Sequence, residues 1–342
     1  MLFLEEIMNR DIKNKIRIGT IIDGEHMGAK GIYQNGVFYK SQGAEDVFQN
    51  VSRESIEAEV PSIEEVEGEK IFFESMKSEP HMVICGGGHV SIPVIQMAKM
   101  LSFKVTVLED RPMFANNARR AGADEVLCDN FKNGLSTIAG DSSTYFVIVT
   151  RGHRYDVDCL TEILTKPHAY IGMIGSKKRV KAVKELMEEQ GFSKELVDSI
   201  YSPIGLNIGA ETPAEIAVSI MAEIVQVKNQ EKGTSGYTSQ LLRYIEEEWQ
   251  QTRLPIAIVT IISRKGSAPR GVGTKMLVTR TGQMIGTIGG GCAEASIQQL
   301  AIQCMESGKS KLVQVDMTGR EAEDDGMVCG GIIEVFIDCY QL

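Results

Sequence analysis

A glycine-rich turn between an apolar run and a helical pattern is the feature that most constrains the fold of this chain. Met82–Cys85 is a short apolar run typical of a buried strand, and Gly86-Gly87-Gly88 follow it directly. Apolar residues then recur at helical spacing from Val90 to Leu101. Strand, tight turn and helix in this order are the context in which a dinucleotide-binding fingerprint has meaning. The sequence therefore predicts a Rossmann-type parallel sheet.

An acid follows the next apolar run at the spacing that a nucleotide site requires. Asp110 lies 22 residues after Gly88, close to the roughly 20 residues expected for a ribose-binding acid. We expect Gly86 to permit the sharp turn, and Gly88 to admit a pyrophosphate to the start of the helix. The third fingerprint position is Ser91 rather than Gly or Ala, and this residue sets how closely helix and strand pack. Arg111 leaves the choice between NAD and NADP open.

The bulk composition excludes several classes of protein. A length of 342 residues suggests about two domains, and the 43% hydrophobic and 24% charged content is that of a soluble globular chain. The net charge of −10 argues against nucleic-acid binding. No apolar run approaches the ~20 residues of a membrane span, and the acidic start does not resemble a signal peptide. Seven cysteines, with no Cys-x-x-Cys, fit a reducing cytoplasm better than a structural zinc site.

Four regions follow from patterning along the chain. Residues 1–78 form a short β-rich region, with a hairpin signal at Asn35-Gly36. Residues 79–228 alternate strand-like and helix-like runs and form the Rossmann-type domain, and the polar residues 229–237 are a linker. Residues 238–342 are predicted to form a smaller α+β domain. The Thr20-Ile-Ile segment and its hairpin resemble Thr260-Ile-Ile and the Thr281-Gly282 hairpin, which raises the hypothesis of an internal repeat.

Further candidate ligand contacts lie at the ends of the predicted parallel strands, where open sheets of this kind bind ligands. His89 occupies the glycine turn, and His153 follows the strand that ends at Thr150. Gly175 and Ser176 follow the next strand, and Ser176 is also suited to cap the helix that begins there. For each histidine the alternative is a hydrogen-bonded residue of the scaffold with no ligand.

A basic loop in the last domain is a candidate anion site. Arg264, Lys265, Ser267, Arg270 and Lys275 lie within thirteen residues that contain no acid. Clustered cations with flexible backbone N–H groups suit a phosphate. The alternative is an ordinary solvated loop.

A thiol is predicted at the start of a helix. Gly289-Gly290-Gly291 precede Cys292, and a helical pattern runs on to about Ser307. The partial positive charge of a helix N-terminus lowers the pKa of a thiol and favours thiolate, which is a nucleophile or a soft metal ligand. Glu294 in the first turn is a candidate catalytic group or simply a cap. Cys329 is a second candidate thiol, and we expect the remaining cysteines to be core.

The combined motifs resemble the XdhC/CoxI family, which comprises accessory factors of molybdenum hydroxylases such as xanthine dehydrogenase. The shared segments are Gly-Gly-Gly-His-Val (86–90), Leu-Glu-Asp-Arg-Pro (108–112), Ile-Gly-Met-Ile-Gly-Ser (171–176), Ile-Gly-Leu-Asn-Ile-Gly-Ala-Glu-Thr-Pro-Ala-Glu-Ile-Ala (204–217), Gly-Ser-Ala-Pro-Arg (266–270) and Gly-Thr-Ile-Gly-Gly-Gly-Cys-Ala-Glu (286–294). One departure is domain order, because the cysteine-bearing domain usually precedes the Rossmann domain in this family. Residues 1–78 look like a reduced relic of that domain.

The resemblance implies a protein that binds molybdenum cofactor (molybdopterin), supports its sulfuration and delivers it to an apo molybdenum hydroxylase. Cys292 would then contact the molybdenum or its terminal sulfur, the basic loop would hold the phosphate, and Gly86, Gly88, His89 and Asp110 would hold a nucleotide. The implied partners are the xanthine dehydrogenase-like client, a cysteine desulfurase and a second copy of the chain in a homodimer. Two other hypotheses stay open at this point. They are an NAD(P)-dependent oxidoreductase, supported by the fingerprint, and a docking scaffold that binds no small molecule.

Overall fold

The computed structural model describes residues 3–8, 15–76, 79–230, 236–268, 270–290, 292–316 and 331–341, apart from the side chains of His153, Cys292 and Ala293. Gly291 and Cys329 therefore lie outside the described residues. The chain divides into two compact units. One consists of residues 78–231, and the other combines residues 1–77 with residues 232–342.

The N-terminal region contributes an antiparallel sheet of five strands with short helices. The elements are α1 (Phe3–Met8), β1 (Ile16–Asp23), β2 (Lys30–Gln34), β3 (Val37–Gln42), α2 (Glu45–Gln49), α3 (Arg53–Glu57), β4 (Ser62–Val66) and β5 (Glu69–Met76). The strand order is β3-β2-β1-β5-β4. Asn35 and Gly36 join β2 to β3 with φ angles of 52° and 81°, as a two-residue hairpin turn requires. The predicted hairpin is confirmed.

The unit of residues 78–231 is a Rossmann-type α/β fold, as predicted. Its elements are β6 (His81–Cys85), α4 (Ser91–Met100), β7 (Lys104–Leu108), α5 (Pro112–Arg120), β8 (Glu125–Leu127), α6 (Phe131–Ser136), β9 (Thr144–Ile148), α7 (His153–Ile163), β10 (Tyr170–Met173), α8 (Lys177–Glu189), α9 (Lys194–Asp198) and α10 (Pro213–Gln230). All five strands pair in parallel, in the order β10-β9-β6-β7-β8. Helices cover both faces of a parallel sheet, which explains why β6 is apolar without alternation.

Two hydrophobic clusters lie on the two faces of this sheet. Met82 and Ile84 belong to one cluster, with α4 and α10, whereas Val83 and Cys85 belong to the other, with α7 and α8. Successive side chains of a strand point to opposite faces, so a single apolar run supplies both clusters. The carboxyl end of β6, where the glycine turn begins, is thus fixed by packing on both sides.

The C-terminal region forms the second antiparallel sheet. Its elements are α11 (Ser239–Tyr244), a π-helical turn (Ile245–Trp249), α12 (Gln250–Thr252), β11 (Ile256–Gly266), β12 (Lys275–Thr279), β13 (Met284–Gly286), α13 (Cys292–Ser307), β14 (Lys311–Asp316) and β15 (Gly331–Tyr340). The strand order is β13-β12-β11-β15-β14. The helical segment of residues 239–252 is interrupted by the π-helical turn. The three consecutive glutamates of this turn, Glu246, Glu247 and Glu248, are exposed.

The N-terminal and C-terminal sheets belong to one unit and share part of their cores. One hydrophobic cluster includes Phe3 and Ile18 from the N-terminal region together with Trp249, Ile258 and Leu277 from the C-terminal region. The two sheets also have the same strand order when their strands are compared in sequence. The N-terminal region is therefore packed as part of the unit that holds the candidate thiol.

Candidate functional site

The glycine turn after β6 has the geometry that the fingerprint predicts. Gly86 has a φ of 114°, and a Cβ there would lie 2.6 Å from the carbonyl oxygen of Val149, so only glycine fits. A Cβ on Gly88 would have no described atom within 4 Å. The backbone at Gly88, just before the first turn of α4, can therefore be approached closely by a ligand.

Ser91 explains the departure at the third fingerprint position. Its hydroxyl donates a hydrogen bond to the carbonyl oxygen of Gly86 over 2.6 Å, and the residue is fully buried. The hydroxyl ties the start of α4 to the turn that precedes it. Serine at this position therefore has a structural role in the turn.

Glu109 is the acid that contacts the glycine turn, and the ribose-binding role of the neighbouring Asp110 stays a prediction. The Oε2 atom of Glu109 accepts a hydrogen bond from the backbone N–H of Gly87 over 2.7 Å, and Arg111 donates to its Oε1 from Nε, also over 2.7 Å. Burial alone would raise the pKa of the Glu109 carboxyl, but the hydrogen bonds from Arg111 and Gly87 outweigh it and lower that pKa. Glu109 was not predicted from the sequence, although its position directly after β7 was a signal for it.

Asp110 forms an ion pair instead of lying open. Its two carboxylate oxygens accept hydrogen bonds from Arg151 over 3.0 and 2.9 Å, and Arg151 also donates to the hydroxyl of Tyr155 over 2.6 Å. Asp110 follows β7 and Arg151 follows β9, with β6 between these two strands. The ion pair therefore spans the carboxyl edge of the sheet beside the glycine turn. His89 in that turn is exposed.

Ser176 is the N-cap of α8, as the sequence predicts. Its side chain accepts a hydrogen bond from the backbone N–H of Arg179, which is itself ion-paired with the buried Asp156. Gly175 and Ser176 lie at the carboxyl end of β10. Their proposed contact with a ligand stays a prediction, as does that of His153, whose side chain lies outside the described residues.

The basic loop contains one cation fewer than predicted. Arg264 and Lys265 extend β11 and are exposed, as are Ser267 and Arg270. Lys275 is buried, with its Nζ 2.7 Å from Oε1 of Glu74 and 2.8 Å from the hydroxyl of Thr260. Lys275 was therefore wrongly assigned to the anion site, because it lies on β12 with its charge neutralised by an acid distant in sequence. The exposed residues of this loop remain candidates for binding an anion.

Glu294 organises the turn that leads to the candidate thiol. Its Oε1 accepts hydrogen bonds from the backbone N–H groups of Ile288, Gly289 and Gly290 over 2.8, 3.1 and 2.9 Å, and from the hydroxyl of Thr287. Burial would raise the pKa of Glu294, but the hydrogen bonds from Thr287 and the backbone lower it. The carboxylate thus holds the loop against the first turn of α13, which begins at Cys292.

The other cysteines mostly behave as expected. Cys85, Cys159 and Cys304 are buried, whereas Cys128 is exposed, so the prediction that it is core was wrong. Among the described residues, no group of three or more His, Cys, Asp or Glu side chains could hold a metal ion. The side chain of Cys292 lies outside the described residues, so its role as a metal ligand stays a prediction. No helix in the described parts of the chain is long and apolar enough to cross a bilayer.

The chain is a two-unit α/β protein. One unit has a Rossmann-type fold with this glycine turn, and the other has an α+β fold in which the sequence Gly-Gly-Gly-Cys leads into a helix. Comparison with known families identifies this class of protein. Residues 82–224 match the XdhC Rossmann domain, and residues 249–316 match the domain described as the XdhC and CoxI family. The chain belongs to the XdhC/CoxI family.

Individual relatives are distant and cover only parts of the chain. Escherichia coli K12 YqeB, described as uncharacterized, is 29% identical over 164 residues, which are 48% of this chain and 30% of YqeB. A Bacillus subtilis 168 protein, described as a probable xanthine dehydrogenase subunit, is 28% identical over 158 residues, or 46% of each chain. A crystal structure described as a xanthine dehydrogenase from Bacillus halodurans aligns at 21% identity and a TM-score of 0.48, covering 64% of this chain and 62% of that one. The matches thus span less than half the length of the two curated relatives.

Proposed function

We propose that this chain is an accessory protein of a xanthine dehydrogenase-type molybdenum hydroxylase. It binds molybdenum cofactor, supports its sulfuration and delivers it to the apo-hydroxylase. Membership of the XdhC/CoxI family and the similarity to a probable xanthine dehydrogenase subunit support this accessory role. The finer steps of cofactor binding and sulfuration rest on the site in the C-terminal region.

The observation that carries this proposal is the set of backbone hydrogen bonds that the Glu294 carboxylate accepts. A carboxylate that takes three consecutive backbone N–H groups fixes the loop before α13, and so fixes the first turn of the helix that begins at Cys292. A thiol at the start of a 16-residue helix gains thiolate character from the helix dipole. A thiolate in a rigid turn can carry sulfur or bind molybdenum, which is a thiophilic metal.

The exposed cations on the same unit supply the second element of a cofactor site. Arg264, Lys265 and Arg270 are exposed, in a chain of net charge −10. Molybdopterin carries a phosphate, and charge-assisted hydrogen bonds from Arg and Lys are the strong way to hold such a group. In this proposal these residues bind the phosphate of the cargo, and Ser267 adds a hydroxyl donor.

The Rossmann-type unit is proposed to bind a nucleotide, which could be NAD(P). The open backbone at Gly88 and the start of α4 accept its pyrophosphate. Asp110 would bind the ribose. Arg111, which follows Asp110, and His89, which follows Gly88, would contact the remaining groups. The same turn favours the second candidate function, an NAD(P)-dependent oxidoreductase. Substrate-dependent change in NAD(P)H absorbance would distinguish that activity from cofactor transfer.

Removal of the thiol tests the proposal. The full chain is mixed with purified molybdenum cofactor, separated by gel filtration, and its molybdenum is counted per chain. We expect Cys292→Ala to retain much less molybdenum than the wild type, whereas Cys128→Ala, which removes an exposed thiol from the other unit, should retain it fully. Equal retention by wild type and Cys292→Ala would remove the role of Cys292. No retention by the wild type would remove the proposal.

Delivery and partners need separate measurements. Activation of an apo-hydroxylase by the loaded chain, compared with free cofactor, tests the transfer step. Native mass spectrometry of the chain alone and with a cysteine desulfurase tests the proposed homodimer and the proposed sulfur donor.

A further inference from the structure

The two antiparallel sheets of the larger unit agree in detail beyond their strand order. In the N-terminal sheet Thr20 pairs with Lys30 across β1 and β2, and a bulge follows Ile21. In the C-terminal sheet Thr260 pairs with Lys275 across β11 and β12, and a bulge follows Ile261. The same register and the same irregularity make these residues equivalent positions of one repeated fold.

Two buried acids are equivalent in the same way. Glu74 lies opposite Ile18 on β5, and Asp338 lies opposite Ile258 on β15. Because Ile18 and Ile258 lie two residues before Thr20 and Thr260, each sheet carries one lysine and one acid at matching places. Each half of the unit therefore presents the same pair of opposite charges.

The ion pairs cross from one half to the other. Lys30 Nζ lies 2.8 Å from Oδ2 of Asp338, and Lys275 Nζ lies 2.7 Å from Oε1 of Glu74. The lysine of each half thus contacts the acid of the opposite half. Reciprocal contacts of this kind are the signature of a two-fold, isologous interface between two copies of one surface.

Apolar residues at equivalent positions surround these charges. Ile22 and Phe72 from the N-terminal sheet form one cluster with Ile262 and Phe336 from the C-terminal sheet. Phe72 pairs with Thr20, and Phe336 pairs with Thr260, so this cluster also joins matching residues. The interface therefore repeats in its apolar part as well as in its charges.

The centre of the interface is sealed and polar. All four charged side chains are at least 90% buried, and they line one cavity of about 10 Å³ with Thr20 and Thr260. The Oε2 atom of Glu74 has no hydrogen-bond partner among the described residues, and a cavity of this size holds about one water molecule. Separating the halves would expose the apolar residues Ile22, Phe72, Ile262 and Phe336 to water, which is unfavourable. A lysine or acid that stayed buried without its partner would also be destabilising.

The N-terminal half keeps this surface but lacks the candidate site. Its segment from residue 24 to residue 29 contains no Arg or Lys, whereas the corresponding segment, residues 264–274, carries Arg264, Lys265 and Arg270. Between β3 and β4 it has α2 and α3, of five residues each, where the C-terminal half has α13 with Cys292. The N-terminal half can therefore supply an interface but not a second thiol site.

We propose that residues 15–76 are a second copy of the C-terminal sheet that serves as its partner within the same chain. They occupy the face by which the C-terminal half would otherwise pair with another copy of itself. In such a pair Lys275 of one chain would meet Asp338 of the other, twice. The unit is an internal pseudodimer with a single thiol-bearing half.

Charge reversal in the full chain tests this proposal. The double variant Lys30→Glu/Glu74→Lys sets like charges against Asp338 and Lys275, while the C-terminal face stays self-complementary. We expect its mass, measured by light scattering after gel filtration, to be twice that of the wild type, with a lower unfolding midpoint. Reversing all four residues, by adding Lys275→Glu and Asp338→Lys, restores opposite charges within the chain and should return the mass to the wild-type value.

The matched control is Lys70→Glu, which reverses a half-exposed cation on β5 and should leave the mass unchanged. A wild-type mass for the double variant would overturn the proposal. If the double variant is insoluble, the fourfold variant decides the matter. A soluble fourfold variant with a wild-type mass supports pairing between the halves, and an equally insoluble one overturns it.

Discussion

The Oε2 atom of Glu109 lies 2.7 Å from the backbone nitrogen of Gly87 and accepts its hydrogen bond. The N–H group that an anion would use at Gly87 is therefore already satisfied by an acid of the protein. A pyrophosphate bound to this turn would be expected at Gly88 and the first turn of α4, away from the Glu109 carboxylate. Glu109 therefore occupies the N–H group of Gly87, whereas the backbone at Gly88 stays accessible to an anion.

Glu109→Gln is predicted to destabilise the chain at neutral pH. The substitution weakens charge-assisted hydrogen bonds to Arg111 and Gly87, and the expected loss is about 1–3 kcal/mol in the free energy of unfolding. Because the folded-state pKa of Glu109 is lowered, its contribution is present above the unfolded-state pKa of about 4.3 and is lost as the pH falls through the folded-state value. The stabilities of the wild type and Glu109→Gln should therefore become equal at low pH. Urea unfolding followed by circular dichroism between pH 7 and pH 3 measures both free energies of unfolding.

Asp110→Asn is the control for that experiment. Asp110 is paired with Arg151 at a more exposed position, and such pairs contribute about 0.2–1 kcal/mol. An effect of Asp110→Asn as large as that of Glu109→Gln would contradict the assignment of Glu109 as the acid that stabilises the turn.

Ser91 is predicted to contribute more to stability than the glycine of the ordinary fingerprint would. Ser91→Ala removes the hydrogen bond to the carbonyl of Gly86 and should cost about 1 kcal/mol. Ser91→Gly removes the same bond and adds backbone freedom, which raises the cost by up to about 1 kcal/mol more. Thermal unfolding ranks the three proteins, and a glycine variant as stable as the wild type would show that the hydroxyl has no such role.

Arg151→Ala is predicted to tighten nucleotide binding. If Asp110 binds a ribose, Arg151 must first release it, because both carboxylate oxygens are engaged. A partly exposed pair is worth about 0.2–1 kcal/mol, so the dissociation constant for NAD should fall up to about fivefold. Calorimetric titration with NAD and NADP measures this dissociation constant. The control is Arg154→Ala, which removes an exposed cation of α7. Weaker binding by Arg151→Ala would mean that Arg151 itself contacts the nucleotide.

The Rossmann-type unit could be predicted from sequence because its signals are local. An apolar strand, three glycines and a helical pattern lie within about twenty residues of each other, and each imposes its own geometry on the backbone. The choice between Glu109 and Asp110 could not be made in the same way. Adjacent residues after a strand point in different directions, and spacing alone does not tell which side chain turns towards the glycines.

The buried lysines could not be predicted because their partners are far away in sequence. Lys275 and Glu74 are 201 residues apart, and Lys30 and Asp338 are 308 apart. A lysine at the start of a strand has the same local sequence pattern whether its side chain faces solvent or an acid from another region. The repeated hairpins were the available sign that the two ends of the chain share a fold, and the common strand order now supports that hypothesis.

Glu294 is predicted to control the rigidity of the loop before Cys292. Glu294→Ala leaves the N–H groups of Ile288, Gly289 and Gly290 without their carboxylate acceptor. Their amide hydrogen exchange should become much faster while that of β11 stays unchanged, since local opening does not require global unfolding. Glu294→Gln keeps a carbonyl acceptor, so its exchange rates at residues 288–290 should lie between those of the wild type and those of Glu294→Ala. If exchange at residues 288–290 is the same in Glu294→Ala and the wild type, the carboxylate does not hold the loop, and the support that it gives to the proposed role of Cys292 is lost.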